Sequence, residues 1–175
     1  MSSPLWLRYG LAGGLAALIV TLTPYALLRP GPNAHTLAET AGYVSMFGVV
    51  LAVYFAARRS SAGAAAVDWR DLFQLGARVS AVAGLVCAVG AWFAFVTLLP
   101  EALPRLLAAH EQHLRAQAMS VAELDAALAR LESGRRGFLD PRFQALVMGF
   151  TLFVIGLLMS LYAAFRFRTP PARGG

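Results

Sequence analysis

The chain has 175 residues, 58% of them hydrophobic and only 14% charged, which leaves too few polar side chains to cover a water-soluble globule of this size. Its formal charge of +6 comes entirely from arginines that bracket apolar runs, where a nucleic-acid binder would gather its cations on one face beside stacking aromatics. Composition therefore excludes nucleic acid as a partner and points to the lipid bilayer. The single cysteine, Cys87, lies in an apolar run, forms no intramolecular disulfide and reads as a small packing residue.

Four apolar segments follow one another, at 11–28, 42–57, 75–99 and 143–165. About 20 helical residues cross a hydrocarbon core of about 30 Å, so the last two are long enough outright. The first also resembles a secretory signal peptide, with Arg8 ahead of its apolar run. Its length and the absence of a small-x-small pattern soon after it favour a retained span ending in the turn "LLRPGPN". Pro24 should kink that span, with Thr21 or Thr23 supplying a hydroxyl to a carbonyl that loses its partner. The second span is extended by residues 36–41, which leaves Glu39 near the interface. In the third, Asp68 and Asp71 suit a helix start, and Arg78 is near enough to the Trp69 end to snorkel. The spans become 11–28, 36–57, 72–99 and 142–165, with Trp6, Arg58, Arg59, Trp69, Arg78 and Arg166 as membrane-interface anchors.

An even number of spans puts both termini on one side. The loops on the opposite side each sum to zero charge, so the whole +6 lies with the termini, which favours cytoplasmic termini in a bacterial inner membrane.

Residues 101–139, between the third and fourth spans, form the longest polar passage. In "MSVAELDAALARLESG", Ser120 and Glu123 make a capping box and Gly134 suits a helix C-terminus, predicting a helix over 121–133 with Leu124, Leu128 and Leu131 on one face. The preceding segment, about 104–118, carries Leu103, Leu107, His110 and Leu114 in a similar stripe. Two amphipathic helices joined at Met119 and Ser120 make an extramembrane hairpin, bounded by Pro100 and Pro104 at one end and by Asp140 and Pro141 at the other. Short helices of this kind are marginal alone, so these six leucines are the candidate packing or partner-binding residues.

Catalytic chemistry is not visible. "HEQH" places His110 and His113 three apart around Glu111, which is not the zincin spacing and would need further ligands to hold a metal; a surface histidine pair is the simpler reading. No span centre holds Asp, Glu, His or Lys, as ion pathways usually require, and no histidine shares a span with the serines, as nucleophilic catalysis would require. Neither a catalytic residue, a metal nor a cofactor is assigned. Small residues recur at four-residue spacing, at Gly10 and Gly14, Gly48, Ala52 and Ala56, Gly84 and Ala88, and Gly156 and Ser160. Such faces serve either packing within one bundle or a dimer contact.

The stretches "RYGLAGGL", "AETAGYVSMFGVVLAVYFAARR" and "MSVAELDAALARLESG" followed by "DPRFQALVMGF" together resemble the bacterial membrane family known as domain of unknown function 4199. Gly42, Tyr43 and Met46 in the second span, and the helix leading to Pro141 and Arg142, carry the likeness best. The basic residues associated with the loop after the second span are here partly replaced by "SSAGAAAVDW". The resemblance implies a four-span integral membrane protein and transfers no activity. The sequence thus predicts an all-α membrane protein that is not an enzyme and has a structural or regulatory role, binding itself or another membrane protein through its hairpin and small-residue faces. A small transporter or pore component acting as an oligomer is the alternative.

Overall fold

The computed structural model describes residues 4–27, 34–62 and 66–168. The turn read at 28–33, the side chain of His35, and Arg29 and Arg173 from the charge count lie outside the described residues. The described chain forms six α-helices: α1 (Leu5–Leu27), α2 (Ala34–Ser61), α3 (Trp69–Phe93), α4 (Ala102–Ala116), α5 (Val121–Leu139) and α6 (Pro141–Phe167). Four helices, α1, α2, α6 and α3 with its continuation to Leu98, are long and apolar enough to cross a membrane.

The four long helices form a ring in the order α1, α2, α6, α3, with α2 and α3 also touching across its short diagonal. The glycines fix the directions. Gly10, Gly14 and Leu18 of α1 lie against Val82, Ala83 and Gly90 of α3, so these two run parallel, whereas Gly13 lies against Ala52 of antiparallel α2. Gly76, Gly84 and Gly149 set α3 antiparallel to α6. Both described chain ends therefore emerge on one side, the terminal side, and α4 and α5 lie on the other.

Small residues face inward and large apolar ones outward. Ala17, Ala56, Ala83, Ser80 and Ser160 are fully buried, while Leu85, Leu146 and Phe150 are about two-thirds exposed. A bundle folded in water has the reverse arrangement. Where lipid solvates the outer face as well as leucine does, close backbone approach is what holds helices together. The small-residue positions read from the sequence are spent in this way inside the bundle, on contacts among α1, α2, α3 and α6.

The helix ends follow local chemistry. Asp68 caps α3 by accepting from the Arg70 N–H at 3.4 Å. Pro100 bars Leu99 from helical geometry, and the last turn of the third span widens over Ala94–Leu98, with the Leu99 N–H donating to the Ala94 carbonyl at 2.7 Å. Pro104, expected to bend this exit, falls instead in the first turn of α4, where a missing N–H costs nothing. In α1 the Thr23 hydroxyl donates to the Ile19 carbonyl at 2.7 Å, one residue short of Val20, the carbonyl that Pro24 deprives of its partner.

The helix predicted over 121–133 runs six residues further, to Leu139. Gly134 lowers helix propensity without forbidding the helical conformation, whereas Pro141 disfavours it at Asp140. Asp140 thus ends α5 and begins α6, its carboxylate accepting from the Arg142 N–H at 2.9 Å.

A Cβ on Gly84 would lie 2.6 Å from the Gly149 carbonyl oxygen, whereas one on Gly134 would meet nothing within 4 Å. Gly84→Val should therefore separate α3 from α6 and lower apparent stability in micelles by about 1–3 kcal/mol. Gly134→Ala should raise the stability of α5 by roughly 0.5–1 kcal/mol. Thermal unfolding followed by circular dichroism checks both signs.

Candidate functional site

Two features on the hairpin side have the makings of a site, namely the hairpin surface and a cleft in the bundle beneath it. The hairpin is asymmetric. Leu103 and Leu107 of α4 are buried, Leu103 in a cluster with Ala91 and Phe95 at the end of the third span and Ala145 of α6. Tyr25 meets Phe95 there edge to face, with centroids 5.4 Å apart. Through this cluster, and through contacts with α2, α4 is fastened to the bundle.

No residue of α5 is buried. Leu114 at the far end of α4, and Leu124, Leu128 and Leu131 on α5, are half-buried, and Val121 is 78% exposed. Contact between α4 and α5 is slight beside that between α3 and α6. What holds α5 in shape is its ends. Ser120 and Glu123 complete the capping box in both directions, with Ser120 N–H to Glu123 Oε2 at 2.9 Å and Glu123 N–H to Ser120 Oγ at 3.4 Å. The Gln144 amide donates to the Phe138 carbonyl at 3.1 Å and ties the other end to α6.

Two polar pairs of α4 are local to the helix and its C-terminus. Arg115 pairs with Glu111 at 2.7 Å, and the His113 ring lies 3.0 Å from the Gln117 amide nitrogen. Among the described residues no three His, Cys, Asp or Glu side chains are placed to hold a metal ion.

The cleft, of about 200 Å³, is walled by α1, α2, α3 and α6. Its floor includes Thr21, Ser45 and Cys87, all buried, and its rim carries exposed Glu39 and Tyr43, whose hydroxyl reaches Glu39 Oε1 at 3.4 Å. Ser45 donates to the Gly42 carbonyl at 2.6 Å, and a Cβ on Gly42 would meet nothing within 4 Å, so the absent side chain there leaves the cleft open. Sequence reasoning named Thr21 only as a hydroxyl for the Pro24 kink and Glu39 only as an interface residue, and missed Tyr25, Ser45 and Met148 as wall. The available signal was Glu39, Gly42 or Tyr43, and Met46 at helical spacing on α2.

The residues expected to serve as interface anchors lie on the terminal side. Trp69 stacks on Phe165, centroids 6.1 Å apart, and Arg70 lies over the Trp69 ring at 5.8 Å. Arg166 and Arg168 lie over Phe167 and Phe165 at 5.7 and 5.4 Å, forming a belt of arginine on aromatic rings. Trp6 is half-buried against the main core, and Arg58, Arg59 and Arg78 are exposed. Arg78 shares its face of α3 with exposed Asp71 and Gln74.

A ring of four apolar helices with small residues inside and large ones outside defines a multi-pass helical membrane protein. The model of the family described as "Protein of unknown function (DUF4199)" matches residues 8–169, and the chain belongs to that family. Comparison with curated proteins and with solved structures gives no match. Gly42, Tyr43 and Met46, on which the resemblance was read, all line the cleft.

The hydrogen bonds from Ser120 hold the Glu123 carboxyl below its ordinary value. A depressed carboxyl contributes stability that is complete above the unfolded Glu value, near about 4.3, and is lost as pH falls through the lower folded value. Acid titration should therefore fray α5 from its Ser120 end, read as faster amide exchange at Ser120, Glu123 and Leu124. Ser120→Ala should reduce that pH dependence, the residue-120 backbone N–H still donating to Glu123.

Proposed function

We propose that this protein is a structural or regulatory subunit of the membrane that engages another membrane protein through its hairpin. The single observation that carries this reading is α5, a capped helix with an apolar stripe and no buried residue, held beside a bundle whose small-residue faces are already used internally. The leucines at 124, 128 and 131 are the contact surface, and the balanced charges of the hairpin give it no strong field for attracting ions. The charge balance of the loops supports cytoplasmic termini in a bacterial inner membrane, with the hairpin on the opposite face. No enzymatic role is proposed.

Burying one leucine contributes roughly 1.5–3 kcal/mol, so a charge in the stripe should abolish docking. Leu128→Arg should eliminate crosslinks from α5 to a partner in native membranes, while His110→Ala combined with His113→Ala should leave them intact. A crosslink joining two copies of this chain would replace the heterologous partner by self-association. A silent leucine change with loss of stoichiometric metal in the histidine variant would overturn the reading. A phosphatase reporter within the hairpin should be active and one at the C-terminus inactive.

The cleft favours a second reading, a small transporter component, because it carries polar groups into the membrane-spanning bundle. Solute flux in liposomes containing only this protein, blocked by Gly42→Phe, would select that reading. No flux, together with a defined co-purifying protein, would select the first.

A further inference from the structure

The terminal side holds a second hollow, of about 420 Å³, bounded by Leu5, Arg8, Tyr9 and Ala12 of α1 and by Arg59 of α2. An arginine from each of two antiparallel helices lines it. Neither has a described carboxylate within ion-pair distance, and neither lies over an aromatic ring, in contrast to Arg70, Arg166 and Arg168 on the same side. Two like charges at one opening repel each other, and an anion between them relieves that repulsion. Arg8 sits in the first turns of α1, where the helix dipole also favours negative charge.

The level matters as much as the charge. Arg8 lies one turn from Leu5, and Arg59 lies two residues before the end of α2, beside the Trp6 and Tyr9 girdle that marks the membrane interface. Phospholipid phosphates occupy that level. A guanidinium fork matches two phosphate oxygens at once, and the apolar sides of Leu5 and Ala12 suit the glycerol and first methylenes of a lipid better than they suit a hydrated ion. We propose that this hollow binds the phosphodiester of an anionic phospholipid, with Arg8 and Arg59 each donating to its non-ester oxygens.

The test is native mass spectrometry of the full chain in an uncharged detergent, with phosphatidylglycerol or phosphatidylcholine added as probe. Micelles of this kind have no anionic surface, so general attraction of arginines to a charged membrane is absent. Wild-type protein should retain phosphatidylglycerol in preference to phosphatidylcholine. Arg8→Gln and Arg59→Gln should each reduce that retention about fivefold, the effect of one basic residue near an anionic headgroup. The double variant should abolish the preference, and the single variants remain informative should the pair not fold. Arg58→Gln removes the same charge next to the hollow without lining it and should leave retention unchanged. No preference in the wild type, or an equal loss in Arg58→Gln, overturns the proposal. Displacement of the lipid by millimolar inorganic phosphate also overturns it, by assigning the hollow to a soluble anion.

Discussion

The contact between α3 and α6 is the constraint on which the bundle depends. Gly76 and Ser80 of α3 face Ser160 and Gly156 of α6, so each serine sits in the space that the opposite glycine leaves. Each hydroxyl is turned back onto its own helix, Ser80 to the Gly76 carbonyl at 2.8 Å and Ser160 to the Gly156 carbonyl at 2.6 Å. The polar atoms are thereby satisfied within each helix, and the two backbones meet across a surface that needs no hydrogen bond between them. Gly84 and Gly149 prolong this seam toward the hairpin. In lipid, where apolar burial adds little between helices, this fit is the main source of cohesion.

From that seam the other positions follow. α1 can lie parallel to α3 because Gly10 and Gly14 accept Val82 and Ala83, and α2 closes the ring through Gly13, Gly48 and Ala52. A cleft opens between the helices toward the hairpin side. There α2 contributes Gly42 and the longer Tyr43 and Met46 in place of alanine, and the cleft forms where the helices are held at the spacing set by the seam but lack side chains to fill it.

Much of this was legible in the sequence, because apolar run length, interface aromatics and capping residues are local signals. Residues 120 to 123 state their capping box in four letters, and the four spans appear as apolar runs, the second only once residues 36–41 extend it. The observed helices begin earlier than the apolar runs, and α2 and α6 also end later, since residues such as Trp6, Arg8 and Tyr9 extend a helix into the interface as readily as leucine would. Gly134 misled because a glycine can end a helix but need not, whereas the rule governing the residue before a proline acts at Asp140. The cleft and the pairing of Arg8 with Arg59 were beyond reach. Each joins residues more than 50 positions apart through helix directions that no single segment encodes.

The shared cap at Asp140 gives the hairpin a mechanical character. With 19 residues at 1.5 Å each, α5 is a rod about 28 Å long whose far end is free of the core and whose near end passes into α6 through one extended residue. The covalent route from the near end of α5 runs through Asp140, beside the Gln144 to Phe138 hydrogen bond, into the first turn of α6, the helix that shares the glycine and serine seam with α3. The joint makes the least buried of the described helices a handle on one half of the glycine and serine seam.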